Sequence, residues 1–257
     1  MQRNDITIDG RRISYLDAGG DGKPLLAMHG HLEEGTSWTE LAERLAPQWR
    51  VIAPDQRGHG DSDRGPDYSP EGYVADAVAV IEQLKLGTVT VLGHSGRALT
   101  AMQLAARHPE LVDGLIVEEL GAVHISTGAL NFVLDWPRQA ATRQELLDAL
   151  GFAGPMFGDV LRENPDGSWR LPFVPRDMVD SEALVGGDHW ADWLGSSCPA
   201  LLVVGNQVPS VDPGLAREMA TRRPNTTVVT LDTDHFAHKG DPAGFAAAVR
   251  SAFPTAR

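Results

Sequence analysis

The chain has 257 residues, of which 42% are hydrophobic, and its 35 acidic and 22 basic residues give a net charge of −13. This composition predicts a folded protein with a large core, and the acidic excess argues against nucleic acid or an anionic membrane surface as a partner. A single cysteine, the lack of an apolar leader and the lack of a bilayer-spanning apolar run together predict a cytoplasmic protein without an internal disulfide.

Apolar, β-branched runs alternate with helical patterns along most of the chain, which is typical of a largely parallel sheet covered by helices on both faces. The predicted strands are 5–8, 13–17, 25–28, 51–54, 88–92, 114–118, 200–204 and 227–231. The predicted helices are 39–45, 70–84, 98–107, 213–221 and 242–253. Asp9 and Gly10 indicate a hairpin between the first two strands, and the residues Ser69, Asp212 and Asp241 are predicted helix caps.

Residues 121–195 interrupt this alternation and divide the predicted core into 1–120 and 196–257. The segment is rich in Trp, Phe, Met and Leu, is broken by Pro and Gly, and shows no convincing strand. We therefore expect a helical cap that covers an apolar pocket. Its aromatic residues Trp136, Phe157 and Trp190 are candidates for contact with a substrate.

Three polar motifs each follow a predicted strand. They are Met28-His-Gly-His31, Gly93-His-Ser-Gly96 and the segment 232–238, which reads DTDHFAH. Because the carboxyl ends of parallel strands lie at one edge of a sheet, and ligands bind there, we expect these motifs to meet in space.

These motifs and the segments "MHGHLEEGTSW", "VIAPDQRGHGDSD", "AARHPELVDGLIV" and "DTDHFAHKGDPAGF" resemble the α/β-hydrolase-fold superfamily in order and spacing. The resemblance covers nearly the whole chain. It implies a mostly parallel eight-stranded sheet with helices on both faces and a helical cap. The motif around the nucleophile, however, reads Gly-His-Ser-Gly-Arg where the family has Gly-x-Ser-x-Gly.

The resemblance also implies roles for individual residues. Ser95 takes the position of the nucleophile and His235 that of the general base, and the backbone N–H groups of His31 and Gly96 match the oxyanion hole. His94 is a candidate for contact with the ligand. His238 is a competing base three residues after His235, and we expect it to be structural.

The acid of the triad is less plainly marked. The family usually places an Asp soon after the strand 200–204, but the positions concerned are Gln207 and Val208. The alternative position follows the strand 114–118, where Glu118 and Glu119 point to opposite faces. We expect Glu119 to orient His235, with Asp212 as the second candidate.

Arg97 occupies the position at which the family motif has glycine. We expect its guanidinium to form a structural ion pair with a carboxylate. The alternative is that it reaches the pocket and binds an anionic group of the substrate.

These residues favour a serine hydrolase that cleaves an ester, lactone, thioester or C–C bond of a small apolar carbonyl substrate. Members of the superfamily with epoxide hydrolase or haloalkane dehalogenase activity place Asp where Ser95 stands. Two alternatives are a cofactor-independent dioxygenase that uses a His–acid dyad on a hydroxy-aromatic substrate, and a non-catalytic ligand-binding protein. We expect no cofactor and no metal site, because no His/Asp/Glu set has ligand spacing. Monomer and homodimer both remain open.

Overall fold

The computed structural model describes residues 1–208 and 210–254, and it is built around an eight-stranded sheet. The strands are β1 (Gln2–Ile8), β2 (Arg11–Asp17), β3 (Lys23–Met28), β4 (Trp49–Pro54), β5 (Val89–His94), β6 (Val112–Glu118), β7 (Ala200–Gly205) and β8 (Thr226–Leu231). Their order across the sheet is β1-β2-β4-β3-β5-β6-β7-β8. Only the pairs β1–β2 and β2–β4 are antiparallel, which confirms the predicted hairpin and the mostly parallel sheet.

Ten α-helices accompany the sheet in the described part of the chain. They are α1 (Thr39–Leu45), α2 (Pro70–Gln83), α3 (Gly96–Arg107), α4 (Arg143–Ala149), α5 (Gly154–Phe157), α6 (Pro175–Glu182), α7 (Trp190–Leu194), α8 (Pro213–Arg222), α9 (Ala237–Gly240) and α10 (Pro242–Ala252). The predicted caps of three of them are confirmed: the side chains of Ser69, Asp212 and Asp241 accept hydrogen bonds from the first turns of α2, α8 and α10. None of the helices in the described residues is both long enough and apolar enough to cross a bilayer.

The two faces of the sheet bury separate hydrophobic clusters. Alternate residues of one strand point to opposite faces, so Leu26 belongs to the cluster that includes residues of α2, α3 and α8, whereas Leu25 belongs to the cluster that includes residues of α1 and α10. Both side chains are completely buried. The sheet therefore has a hydrophobic cluster on each side.

Residues 121–195 lie between β6 and β7 and contain α4 to α7. A third hydrophobic cluster, which includes Leu146, Phe157, Leu171 and Met178, lies entirely within this segment. We expected no strand here, and the structure corrects that expectation. The segment has five strands of two residues each, at Val123–His124, Gln139–Ala140, Arg162–Glu163, Trp169–Arg170 and Gly187–Asp188. Strands this short contain too few residues for an alternating pattern.

Candidate active site

Ser95 lies on a sharp turn between β5 and α3. Its φ of 53° and ψ of −131° are costly for a residue with a side chain, by about 1–3 kcal/mol, and such strain concentrates at functional sites. The turn is held by hydrogen bonds from Ser95 N to Glu118 O and from Ala98 N to Ser95 O, both 2.8 Å long. A Cβ atom on Gly93 would overlap the carbonyl of Arg97. The turn therefore requires glycine two residues before the serine.

His235 follows β8 and contacts Ser95 directly. Its Nε2 lies 3.0 Å from Ser95 Oγ. The backbone of His235 is held in turn, because His94 Nε2 lies 2.8 Å from its carbonyl oxygen. The structure thus brings together a hydroxyl and an imidazole that are 140 residues apart in the chain, and this arrangement suits proton transfer from the serine.

Two groups compete for the other ring nitrogen of His235. Ser210 Oγ lies 2.7 Å from Nδ1, and Glu119 Oε2 lies 3.6 Å from the same atom. Glu119 is buried, and its Oε1 accepts a hydrogen bond from Gly205 N. Its Oε2 has no hydrogen-bond partner among the described residues. This buried carboxylate oxygen thus faces Nδ1 across a short gap, and Ser210 makes the closer contact.

The second candidate acid, Asp212, lies elsewhere. Its Oδ1 accepts hydrogen bonds from Gly214 N and Leu215 N at the start of α8, and these satisfy helix donors that would otherwise lack partners. Asp212 is therefore a helix cap in this structure. Ser210 lies in the same loop and was missed by our sequence analysis. Its position after β7, where the family usually has its acid, was the only signal that could have identified it.

Arg97 does not form the expected ion pair with a carboxylate in the part of the chain that the structure describes. Its guanidinium stacks on the ring of Tyr73 at 3.6 Å, and its Nη2 donates to Ser181 Oγ at 3.1 Å. Arg97 is in the first turn of α3, and its side chain is buried and does not line the cavity next to Ser95. The alternative contact with a substrate is therefore also corrected: the side chain packs behind the turn, against α2.

A cavity of about 450 Å³ opens beside Ser95 and His235. Eight of the sequence-predicted site residues line it: His31, His94, Ser95, Gly96, Glu119, Trp136, Phe157 and His235. Trp190 does not, because its ring packs under the guanidinium of Arg222 at 3.7 Å and against the core. Polar residues that the sequence analysis missed also contribute, namely His124, Thr127, Glu182 and Ser210. The remaining lining is aliphatic and aromatic, and no Lys or Arg among the described residues contributes to it.

His31 lies above the start of α3. A Cβ atom on Gly96 would be 2.7 Å from His31 Cε1, so a larger residue after Ser95 would require the His31 ring to shift. His31 Nε2 lies 3.0 Å from Ser181 Oγ. Burial, and next the nearby positive charge of Arg97, lower the pKa of His31 well below its usual value. The ring over the turn is therefore neutral at neutral pH.

A buried network of charged and polar groups lies behind His235. His94 Nδ1 is 2.7 Å from Glu33 Oε2, and Lys239 Nζ is 2.6 Å from Glu33 Oε1. His238 Nδ1 is 2.9 Å from Glu118 Oε1, and its Nε2 is 3.4 Å from Glu33 Oε1. His94 thus has both ring nitrogens occupied, by Glu33 and by the carbonyl of His235. This leaves it no nitrogen with which to bind a substrate.

The charges of this network support one another. Burial disfavours the charged form of His238, but Glu118 and Glu33 outweigh it and raise the pKa of His238 to about 9. Burial likewise opposes the charge of Glu33, yet His94 and His238 lower the pKa of Glu33 well below its usual range. His238 is therefore a cation between two carboxylates. It does not touch Ser95, in agreement with the expected structural role.

One set of side chains has the donor types of a metal site. The donor atoms of His94, Glu118 and His238 all lie within 4.8 Å of one another. Each of the three already takes part in the hydrogen bonds described above, and the proton on His238 supplies the positive charge that the carboxylates need. These donors therefore do not fit a metal ion as they stand.

Comparison with known proteins identifies the family. The model of the alpha/beta hydrolase fold family matches residues 23–242. The chain belongs to this family. It is 38% identical over 118 residues to an uncharacterised protein of Mycobacterium tuberculosis, a match covering 46% of this chain but only 34% of that protein, so the chain spans about a third of that relative's length.

Other relatives match a larger share of this chain. The chain is 27% identical over 284 residues to a haloalkane dehalogenase of Sphingobium indicum, which covers 96% of this chain and 94% of that protein. It is 33% identical to a 2-hydroxymuconate semialdehyde hydrolase of Pseudomonas over 62% of this chain and 58% of that protein. Among solved structures, E-2-(acetamidomethylene)succinate hydrolase superposes with a TM-score of 0.84 at 22% identity, over 97% of this chain and 98% of that one. This last likeness concerns the fold alone.

Proposed function

We propose that this protein is a serine hydrolase that cleaves an ester, lactone, thioester or activated C–C bond of a small, uncharged, apolar carbonyl compound. The observation that carries the proposal is the 3.0 Å contact between Ser95 Oγ and His235 Nε2 beside a largely apolar cavity. The relative named as 2-hydroxymuconate semialdehyde hydrolase supports the reaction class. The haloalkane dehalogenase is also a relative, but the nucleophile position here holds Ser95, which favours acyl transfer.

In the proposed reaction, Ser95 Oγ attacks the carbonyl carbon while His235 Nε2 takes its proton. Nδ1 of His235 must then carry the other ring hydrogen. The imidazolium that forms is stabilised by Glu119, whose buried Oε2 lies 3.6 Å from Nδ1. The leaving group departs with the proton from Nε2. Water, deprotonated by His235, then attacks the acyl-enzyme and releases the carboxylic acid and free Ser95.

The oxyanion formed in each step needs hydrogen-bond donors. The backbone N–H groups of Gly96 and His31 are our candidates. Gly96 is the first residue of α3, so its N–H has no acceptor within the helix, and the positive end of the helix dipole favours a developing negative charge. One such donor is worth about 3–4 kcal/mol of barrier lowering.

The cavity supports a small apolar substrate. Its volume of about 450 Å³ is in the ordinary range for small-molecule sites. Leu130, Phe132, Trp136 and Phe157 supply apolar walls, and the absence of Lys and Arg among the described lining residues argues against an anionic substrate.

Covalent labelling tests the proposal. The protein is treated with a fluorophosphonate or a sulfonyl fluoride, and the adduct is located by mass spectrometry. We expect labelling at Ser95, loss of labelling in His235→Ala, and hydrolysis of short-chain p-nitrophenyl esters that disappears in Ser95→Ala. Circular dichroism of both variants checks that they are folded.

The other reaction classes give different results in the same experiment. No labelling of Ser95, together with oxygen consumption on a hydroxy-quinolone substrate, would replace the hydrolase by a cofactor-independent oxygenase. No labelling and no turnover, with an apolar ligand that raises the melting temperature, would indicate a binding protein.

A further inference from the structure

A second, polar cleft lies where residues 121–195 meet the loop that follows β4. It has a volume of about 210 Å³ and is separate from the cavity beside Ser95, with which it shares no lining residue. One wall comes from Arg12 and the loop 58–64, and the other from Arg138 and residues 170–174. A β-bridge between His59 and Phe173 joins the two walls.

This cleft differs in charge from the rest of the molecule. Four arginines and two aspartates line it, which leaves two positive charges in a chain whose net charge is −13. The arginines are Arg12, Arg64, Arg138 and Arg170, and the aspartates are Asp61 and Asp63.

The partners of these groups show which charges remain available. Arg64 makes two 2.7 Å hydrogen bonds to Asp177, and Asp61 is held by Arg162 at 3.0 Å. Arg12 has only a loose contact with Asp63, at 4.0 Å, and more than half of its side chain is exposed. The charges of Arg64 and Asp61 are therefore neutralised by ion pairs within the protein, whereas the charge of Arg12 is only weakly neutralised.

Arg138 and Arg170 have no carboxylate partner within residues 1–208 and 210–254. Arg170 makes one long contact, of 3.3 Å, to the carbonyl of Leu171. The two arginines are held side by side, because Leu171 N donates to Arg138 O and Arg170 pairs with Gln139 in the adjacent strand. Burial, then Arg162, Arg138 and Arg12, lower the pKa of Arg170, whereas Asp61 raises it. Four arginines beside only two aspartates leave an excess of positive charge, which favours binding of an anion.

We propose that this cleft is a binding site for a tetrahedral oxyanion of the phosphate type, held by Arg138 and Arg170 on one side and Arg12 on the other. Guanidinium groups match such oxyanions because their N–H donors form paired hydrogen bonds with two oxygens. A volume of 210 Å³ is several times the share of one water molecule, about 30 Å³, so it has room for the ion and its water. The anion is either free phosphate or the phosphoryl group of a small metabolite.

Isothermal titration of the whole protein tests the site, with inorganic phosphate and phenyl phosphate as probes and sodium chloride as the ionic-strength control. We expect saturable binding of at least one probe, weakened about tenfold or more in Arg170→Ala and in Arg138→Ala. Arg170→Lys is expected to fall between, since it keeps the charge and loses the paired hydrogen bonds. Tighter binding of phenyl phosphate assigns the site to a phosphorylated metabolite, and tighter binding of phosphate assigns it to the free ion.

Arg217→Ala is the matched control, because Arg217 is an exposed arginine on α8 and does not line the cleft. It should bind both probes as the wild type does. The proposal is overturned if the wild type binds neither probe, or if Arg217→Ala weakens binding as much as Arg170→Ala. Circular dichroism of the same variants, measured in parallel, shows that they are folded.

Discussion

At the scale of single residues, two neighbouring carboxylates at the end of β6 serve different histidines. Glu118 accepts hydrogen bonds from His238, and Glu119 faces His235. The sequence analysis separated the two by the rule that adjacent side chains of a strand point to opposite faces, but β6 ends at Glu118, and Glu119 has a φ of 60°, outside strand geometry. That rule made it possible to predict from the sequence that at most one of the two could serve His235.

The contact between Ser210 and His235 could not be predicted in this way. It joins residues 25 positions apart, on either side of α8 and β8. Ser210 itself lies in a loop with no regular pattern, and it resembles any other loop serine. The same applies to Arg97, for which a carboxylate partner was the wrong expectation. Its charge lies over the face of Tyr73 instead, a contact worth about 2 kcal/mol when desolvated. No local pattern marks that pairing.

Comparison of Glu119→Gln with Ser210→Ala tests which group orients His235. In Glu119→Gln the imidazolium loses its negative partner, so we expect kcat/KM for an ester to fall at least about a hundredfold. Ser210→Ala removes the closer contact but leaves the carboxylate, and we expect less than about a tenfold loss. Steady-state kinetics with a p-nitrophenyl ester measures both. A larger loss in Ser210→Ala would make the serine, and not Glu119, the orienting group.

At the scale of secondary-structure elements, the buried network joins four segments at the carboxyl edge of the sheet. Glu33 follows β3, His94 ends β5, Glu118 ends β6 and His238 lies in α9. Because His94 also holds the carbonyl of His235, the network fixes the segment that carries the proposed general base. Its residues come from elements far apart in sequence, so the sequence showed each histidine without its partners.

The raised pKa of His238 predicts how stability depends on pH. The pKa is about 9 in the folded protein and 6.5 in the unfolded chain, so the folded state holds the proton more tightly. The resulting stabilisation, on the order of 3 kcal/mol, is complete below pH 6.5 and is lost as the pH rises through 9. We expect the free energy of unfolding, measured with urea, to fall over this range.

His238→Gln should flatten that dependence, whereas His108→Gln, at a more exposed histidine, should leave it as in the wild type. If His238→Gln does not fold, NMR titration of the His238 ring in the wild type answers the same question. A midpoint at or below 6.5 would contradict the prediction.

At the scale of the whole molecule, the fold was the most predictable property. All eight strands of the main sheet follow from apolar runs of ordinary length, and the family motifs implied that the sheet is mostly parallel. The two-residue strands in 121–195 were missed, because pairings of that length depend on tertiary contacts and leave no periodic signal. The arrangement of Arg138 and Arg170 in the polar cleft was missed for a related reason: which arginines form ion pairs with which carboxylates is a property of the folded surface.

The lack of Lys and Arg among the described residues that line the cavity beside Ser95 has a consequence for release of the product. Hydrolysis of a neutral ester inside it creates a carboxylate beside Glu119 and Glu182, where the described lining residues include no Lys or Arg. The whole molecule also has a net charge of −13. Poorly compensated negative charge is unstable in such surroundings. We expect the acid product to inhibit at least about tenfold more weakly than its neutral amide analogue, as measured by their inhibition constants. Equal inhibition would contradict this. The reaction would thus favour release of its own product, because cleavage of the bond converts a neutral ligand that suits the cavity into a negatively charged one that does not.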